Sequence, residues 1–237
     1  MIISHTRKFI YIKAAKVAGS SLESMLWESC GSQDIRAHMD LKGFDERFEG
    51  QNLKNMRLGP HSEPTHIKQE VGQKVWNYYH KIVCIRNPWD TVVSLFWMRK
   101  GENKDVQLRF QEWLKDGCKR GFTDFIDWIN VTIQNLPLYN NTRFYYWDDG
   151  SRTADSYLRF EHLKEDYIKL CHKLSIKPAS MRHFKSRFRQ DSGIHYSFYY
   201  DQNSVELVSS QCQLEQSEFG YNFEIANNIN FIHELKN

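Results

Sequence analysis

The stretch "YHKIVCIRNPWDTVVSLFWMRK" (79–100) constrains the chain most. "KIVCI" is a short apolar run rich in β-branched residues, which fits a strand covered on both faces. Pro88 can then open a helix, because the first helical position needs no N–H and proline presets its φ. Val92, Val93, Phe96 and Trp97 supply the buried side of that helix. A doubly covered strand feeding straight into a helix is the building unit of α/β proteins.

The alternation recurs along the chain. "KFIYI" (8–12) reads as a strand, and "LESMLWESC" (22–30) carries apolar residues at helical spacing. "PTHIKQEVG" (64–72) reads as a short helix, and further helices are expected over 106–117 and 122–135. "TRFYYWDDG" (142–150) and "ADSYLRF" (154–160) read as strands around an Asp-Gly turn. "EHLKEDYIKLCHKLSI" (161–176) places Leu163, Tyr167, Leu170, Cys171 and Leu174 on one helical face, and a last helix is expected near 203–217. With no repeat and no low-complexity linker, the expectation is one domain over 1–237. Its fold is a three-layer α/β arrangement around a mainly parallel central sheet. Segments 31–60 and 100–120 are expected as excursions that shape an acceptor cleft.

Parallel sheets take their ligands beyond the carboxyl ends of the strands. One such end is "YIKAAKVAGSSLESM" (11–25). Ala18, Gly19, Ser20 and Ser21 are small enough for backbone N–H groups to approach an anion, and a helix starting near Ser21 adds partial positive charge. Lys16 adds a full one. Alone, the same residues also suit an ordinary strand-to-helix loop capped by serine. The stretch is not a GxxxxGK[ST] nucleotide loop, because Lys16 precedes Gly19 rather than following the last glycine. A second end carries Arg86, with Ser94 further along the helix, and the pair suits a second phosphate. An internal ion pair between Arg86 and Asp90 is the competing use.

Taken together, "AKVAGSSLE" and "RNPWDTVVSLF" resemble the two signature motifs of the sulfotransferases, in the branch of the Golgi carbohydrate enzymes and their bacterial and phage relatives. "LRFEHLKEDY" (158–167) and "YYDQNSVELV…FGY" (199–221) are similar to later family segments. The resemblance implies the P-loop-like sulfotransferase fold. It also implies a donor, 3′-phosphoadenosine 5′-phosphosulfate (PAPS), with 3′,5′-adenosine bisphosphate (PAP) as product and a hydroxyl acceptor, a carbohydrate in that branch. By position, Lys16, Ala18, Gly19, Ser20 and Ser21 would hold the 5′-phosphosulfate, with Lys16 beside the leaving oxygen, and Arg86 and Ser94 the 3′-phosphate. Val17 stands where the family has threonine, Ala15 where it has proline, and Thr91 where arginine is common.

In-line sulfuryl transfer rests on positioning and charge stabilisation, as phosphoryl transfer does. A base for the acceptor hydroxyl is sought in "LGPHSEPTHIKQEVG" (58–72). There His61 matches the family best and Glu63 and His66 compete, since an imidazole titrates near neutrality. "HFKSRFRQ" (183–190) alternates Lys185, Arg187 and Arg189 with aromatics, and Arg187 is a further candidate for the donor phosphate. No acidic cluster suggests a metal. A net charge of +3 argues against a nucleic-acid partner. Five scattered cysteines without a CxxC pair argue for reduced thiols. With no apolar run of membrane length and no signal-peptide pattern, a cytoplasmic location and no membrane partner are expected. Two other classes stay open: a binding protein on a degenerate sulfotransferase fold, and a nucleotide-dependent kinase, which would need a phosphate loop and Mg²⁺ ligands that the sequence lacks.

Overall fold

A computed structural model describes residues 1–37, 57–133, 141–180 and 194–226. These residues group into two compact units, one within Met1–Arg86 and Asn141–Phe184, the other within Asn87–Asn140 and Lys185–Asn237.

The first unit is built on a five-stranded sheet in the order β3-β1-β2-β4-β5. Its strands are β1 (Ile2–Ser4), β2 (Phe9–Ile12), β3 (Ile35–Arg36), β4 (His80–Ile85) and β5 (Ser156–Arg159). β2, β4 and β5 are parallel neighbours, whereas β1 runs antiparallel to both β2 and β3, so the sheet is mixed. β1 escapes a reading by pattern because three residues are too few to establish a period. β2 is apolar and buried throughout, and β4 is apolar and buried from Ile82 to Ile85, as expected for central strands. Registers Ile12↔Val83 and Ile85↔Arg159 bring the carboxyl ends of the three parallel strands to one edge.

Helix α1 (Gly19–Trp27) follows β2 and buries Leu22, Glu23, Met25 and Leu26. Helix α2 (Pro64–Tyr78) is broken at Gly72, whose φ of 78° is left-handed, which is where the sequence pattern ends its short helix. Helix α7 (Leu163–Leu174) follows β5, and its Tyr167 hydroxyl donates to the Met25 carbonyl of α1 at 3.4 Å. "TRFYYW" corrects an expectation. Thr142–Tyr145 is a helical turn, α6, and only Tyr146 makes an isolated bridge, to Arg152. The aromatic run has strand propensity, yet packing decides. Phe144 and Tyr145 are both buried, with the Phe144 N–H donating to Asn141 C=O at 2.8 Å and the Tyr145 hydroxyl to Cys84 C=O at 3.4 Å.

The second unit is helical among its described residues: α3 (Pro88–Lys100), α4 (Lys104–Lys115), α5 (Thr123–Ile133), α8 (Gln202–Gln211) and α9 (Gln213–Phe219). The single tail helix expected is two helices meeting at Cys212. Asn87 caps α3 by accepting from the Trp89 N–H at 3.0 Å. Aromatic side chains fill the core, with Trp97 against Phe110 at 4.8 Å and Phe125 against Tyr200 at 4.7 Å between ring centroids. The Trp97 indole N–H donates to the Tyr199 hydroxyl at 2.9 Å, so this buried polar atom is satisfied. Trp89 and Trp97 are core residues, as is Trp76 in the first unit.

Candidate active site

The turn from Lys13 to Ala18 connects β2 to α1 at the edge where the parallel strands end. Lys16 and Ala18 both have left-handed backbones, with φ of 60° and 58°. For residues carrying a Cβ, each such conformation costs roughly 1–2 kcal/mol and persists only where the surroundings impose it. Ala18 is the N-cap of α1 and offers no side-chain acceptor. Its carbonyl accepts from the N–H groups of Ser21 and Leu22 at 3.0 and 3.2 Å. The N–H groups of Gly19 and Ser20 are thus left at the positive end of the helix. Ser21 is buried and Ser20 half-buried.

Gly19 is required by packing rather than by backbone angle. A Cβ there would stand 2.9 Å from Lys13 Cγ and 3.2 Å from Lys13 Cε. Val17 is fully buried, so the position where the family has threonine is a core position in this chain.

Three side chains from elsewhere in the first unit grip the turn. Arg86, directly after β4, donates from Nη1 to the Lys16 carbonyl at 2.8 Å and lies over the Phe160 ring at 4.0 Å. Asn141 accepts from the Ala15 N–H at 3.0 Å and donates back to the Ala15 carbonyl at 2.9 Å. His61 Nδ1 lies 2.8 Å from the Lys13 carbonyl. A carbonyl only accepts, so Nδ1 carries the proton, and in the neutral ring the lone pair is on Nε2.

The two lysines of the turn differ in burial. Lys13 is buried, and its ammonium is paired with Glu23 of α1. Glu23 also meets the Met1 amine at 3.0 Å and Arg36 Nε at 3.5 Å. Burial pushes the Glu23 carboxyl upward, but the Met1 ammonium, Lys13 and Arg36 together hold it below its ordinary value. Lys16 is half-buried at the mouth of the turn.

Of the candidates for the base, Glu63 pairs with Arg143 at 3.1 Å, and His61 and His66 are both exposed, His66 in the first turn of α2. Ser94 lies half-buried on α3, one turn after Thr91. The Thr91 hydroxyl is buried with no hydrogen-bond partner among the described residues. Arg187 lies outside the described residues. All five cysteines are free thiols. Burial raises the Cys84 thiol far above its ordinary value, which makes it inert. Among the described residues no group of three or more metal-ligating side chains occurs, and no helix is long and apolar enough to cross a membrane.

Pattern reading missed Asn141 and Glu23. Glu23 falls on the same helical stripe as Leu22 and Leu26, and a carboxylate on an apolar face signals a buried cation partner. For Asn141 no local signal exists, since its partner lies 126 residues away.

Residues 1–215 match the sulfotransferase family, and the chain belongs to it. An uncharacterized protein of Archaeoglobus fulgidus is 28% identical over 110 residues, covering 46% of this chain and 79% of that protein. No solved structure matches the chain.

Proposed function

We propose that the chain transfers a sulfuryl group from 3′-phosphoadenosine 5′-phosphosulfate to a hydroxyl acceptor, with a carbohydrate as the acceptor class. The carrying observation is the strained Lys16–Ala18 turn, held by three distant side chains at the mouth of a helix N-terminus. Non-glycine residues held in the left-handed region cluster at ligand sites, which supports this reading. Family membership supports the class of reaction.

In this reading the Gly19 and Ser20 N–H groups and the serine hydroxyls receive the 5′-phosphosulfate oxygens. Lys16 stabilises charge on the bridging oxygen as its bond to sulfur breaks. The acceptor oxygen forms the new bond to sulfur, and its proton passes to His61 Nε2. The tether to the Lys13 carbonyl supports His61 over Glu63 and His66, because it fixes the tautomer that a base requires. The family resemblance assigns the 3′-phosphate to Arg86 and Ser94, and the basic stretch 183–190 offers Arg187 as a further candidate for that phosphate or for an anionic acceptor.

Thermal melts with the bisphosphate product, against ATP with Mg²⁺, test the donor. Ligand at 100 times its Kd should stabilise by about 2.7 kcal/mol. ATP with Mg²⁺ doing as well would sink the reading in favour of a kinase. Transfer of labelled sulfate to a panel of hydroxyl acceptors tests the chemistry. His61→Ala should lower kcat by about 10²–10⁴. Tight bisphosphate binding without turnover on any acceptor would make the chain a binding protein instead.

A further inference from the structure

We propose that Asn141 is the positioning residue of the donor turn, setting the backbone of Ala15 so that the turn beyond it stays open to the 5′ end of the donor. The proposal rests on the reading of that turn as the 5′-phosphosulfate site. Ala15 lies beyond the last paired residue of β2, Ile12, so no strand neighbour satisfies its backbone. The Asn141 carboxamide takes the place of one, accepting from the Ala15 N–H at 3.0 Å and donating to the Ala15 carbonyl at 2.9 Å. Only one orientation of the amide serves both, since a flipped group would set donor against donor. Asn141 is only 7% exposed, and its own carbonyl is engaged by the Phe144 N–H at 2.8 Å, which anchors it to α6.

The next residue, Lys16, is the first of the two left-handed positions. Arg86 holds the Lys16 carbonyl and His61 the Lys13 carbonyl, and between them Asn141 grips Ala15 on both its polar groups. Without it the peptide between Ala15 and Lys16 can rotate, and Lys16 can relax to an ordinary backbone well. The N–H groups at the mouth of α1 would then no longer converge on one oxygen cluster. Asn141 touches no reacting atom in this account and acts through the backbone alone.

The test compares two probes, 3′,5′-adenosine bisphosphate and adenosine 3′-phosphate, which lacks the 5′ group. Dissociation constants for both are measured on the wild type, Asn141→Ala and Asn141→Asp, with Asn141→Ser in place of alanine should that variant not fold. In the wild type the bisphosphate should bind more than tenfold tighter. In Asn141→Ala that preference should shrink at least fivefold while the affinity for adenosine 3′-phosphate stays within twofold. An unchanged preference overturns the proposal even if both affinities or the melting temperature fall, because Asn141 would then be merely structural. A loss seen with Asn141→Asp and with neither neutral variant also overturns it, since charge repulsion would be the cause. A wild type without preference refutes the donor reading itself before any variant is compared.

Discussion

Replacing Arg86 by alanine separates two jobs that the side chain can hold. Its Nη1 donates to the Lys16 carbonyl at 2.8 Å, and its guanidinium stacks on Phe160 at 4.0 Å, in a site only 9% exposed. A hydrogen bond from a charged donor contributes about 1.5–3 kcal/mol. A partly desolvated cation–ring contact adds about 0.5–2 kcal/mol. The two vanish together and do not add fully, so a loss of about 2–4 kcal/mol is expected without any ligand. For a chain of this size each kcal/mol moves the melting temperature by roughly 2–4 °C. Scanning calorimetry of wild type, Arg86→Ala and Arg86→Lys reads this directly. Lysine keeps the charge but not the planar fork, so its melt should fall between the other two. An alanine variant that melts with the wild type in the absence of ligand would refute the strut. If instead the ligand-free loss appears and the bisphosphate still stabilises the variant fully, Arg86 is a strut and not a phosphate ligand.

Gly19→Ala would press a methyl group to 2.9 Å from the Lys13 stem, which Glu23 holds in place, so overpacking should cost about 1–3 kcal/mol in denaturant melts. An alanine variant as stable as the wild type would show that Lys13 yields. Glu23 has its carboxyl pKa depressed in the fold, so its contribution to stability is complete above its ordinary value of 4.5 and is lost as pH falls through the folded value. Glu23→Gln should remove that acid slope and cost about 3–5 kcal/mol at pH 7, because Lys13 and Arg36 stay buried. Stability against pH for the two proteins decides it, and parallel curves would contradict the assignment. Tyr199→Phe leaves the buried Trp97 indole N–H without its acceptor and should lower stability by about 1–3 kcal/mol, measured by urea titration. No change would mean that the indole finds another partner.

Much of this molecule is legible from one dimension. β4 and α3 follow from "KIVCIRNPW" because burial on both faces and proline chemistry are local properties. Lys16 and Arg86 follow as residues at strand ends, and the family follows from the two motifs around them. Tertiary structure alone decided the rest. It turned "TRFY" into a helix against its propensity and fixed the mixed sheet through the three-residue β1. It buried Lys13 against Glu23 and left Lys16 at the mouth of the turn. It also recruited His61, Arg86 and Asn141 from sequence separations of 48, 70 and 126 residues to hold three consecutive parts of one loop. The physical reason is common to all of these. Propensity and periodicity are properties of neighbours along the chain, whereas the strained backbone of the turn is sustained by hydrogen bonds whose donors and acceptors meet only once the sheet has brought its strand ends to one edge.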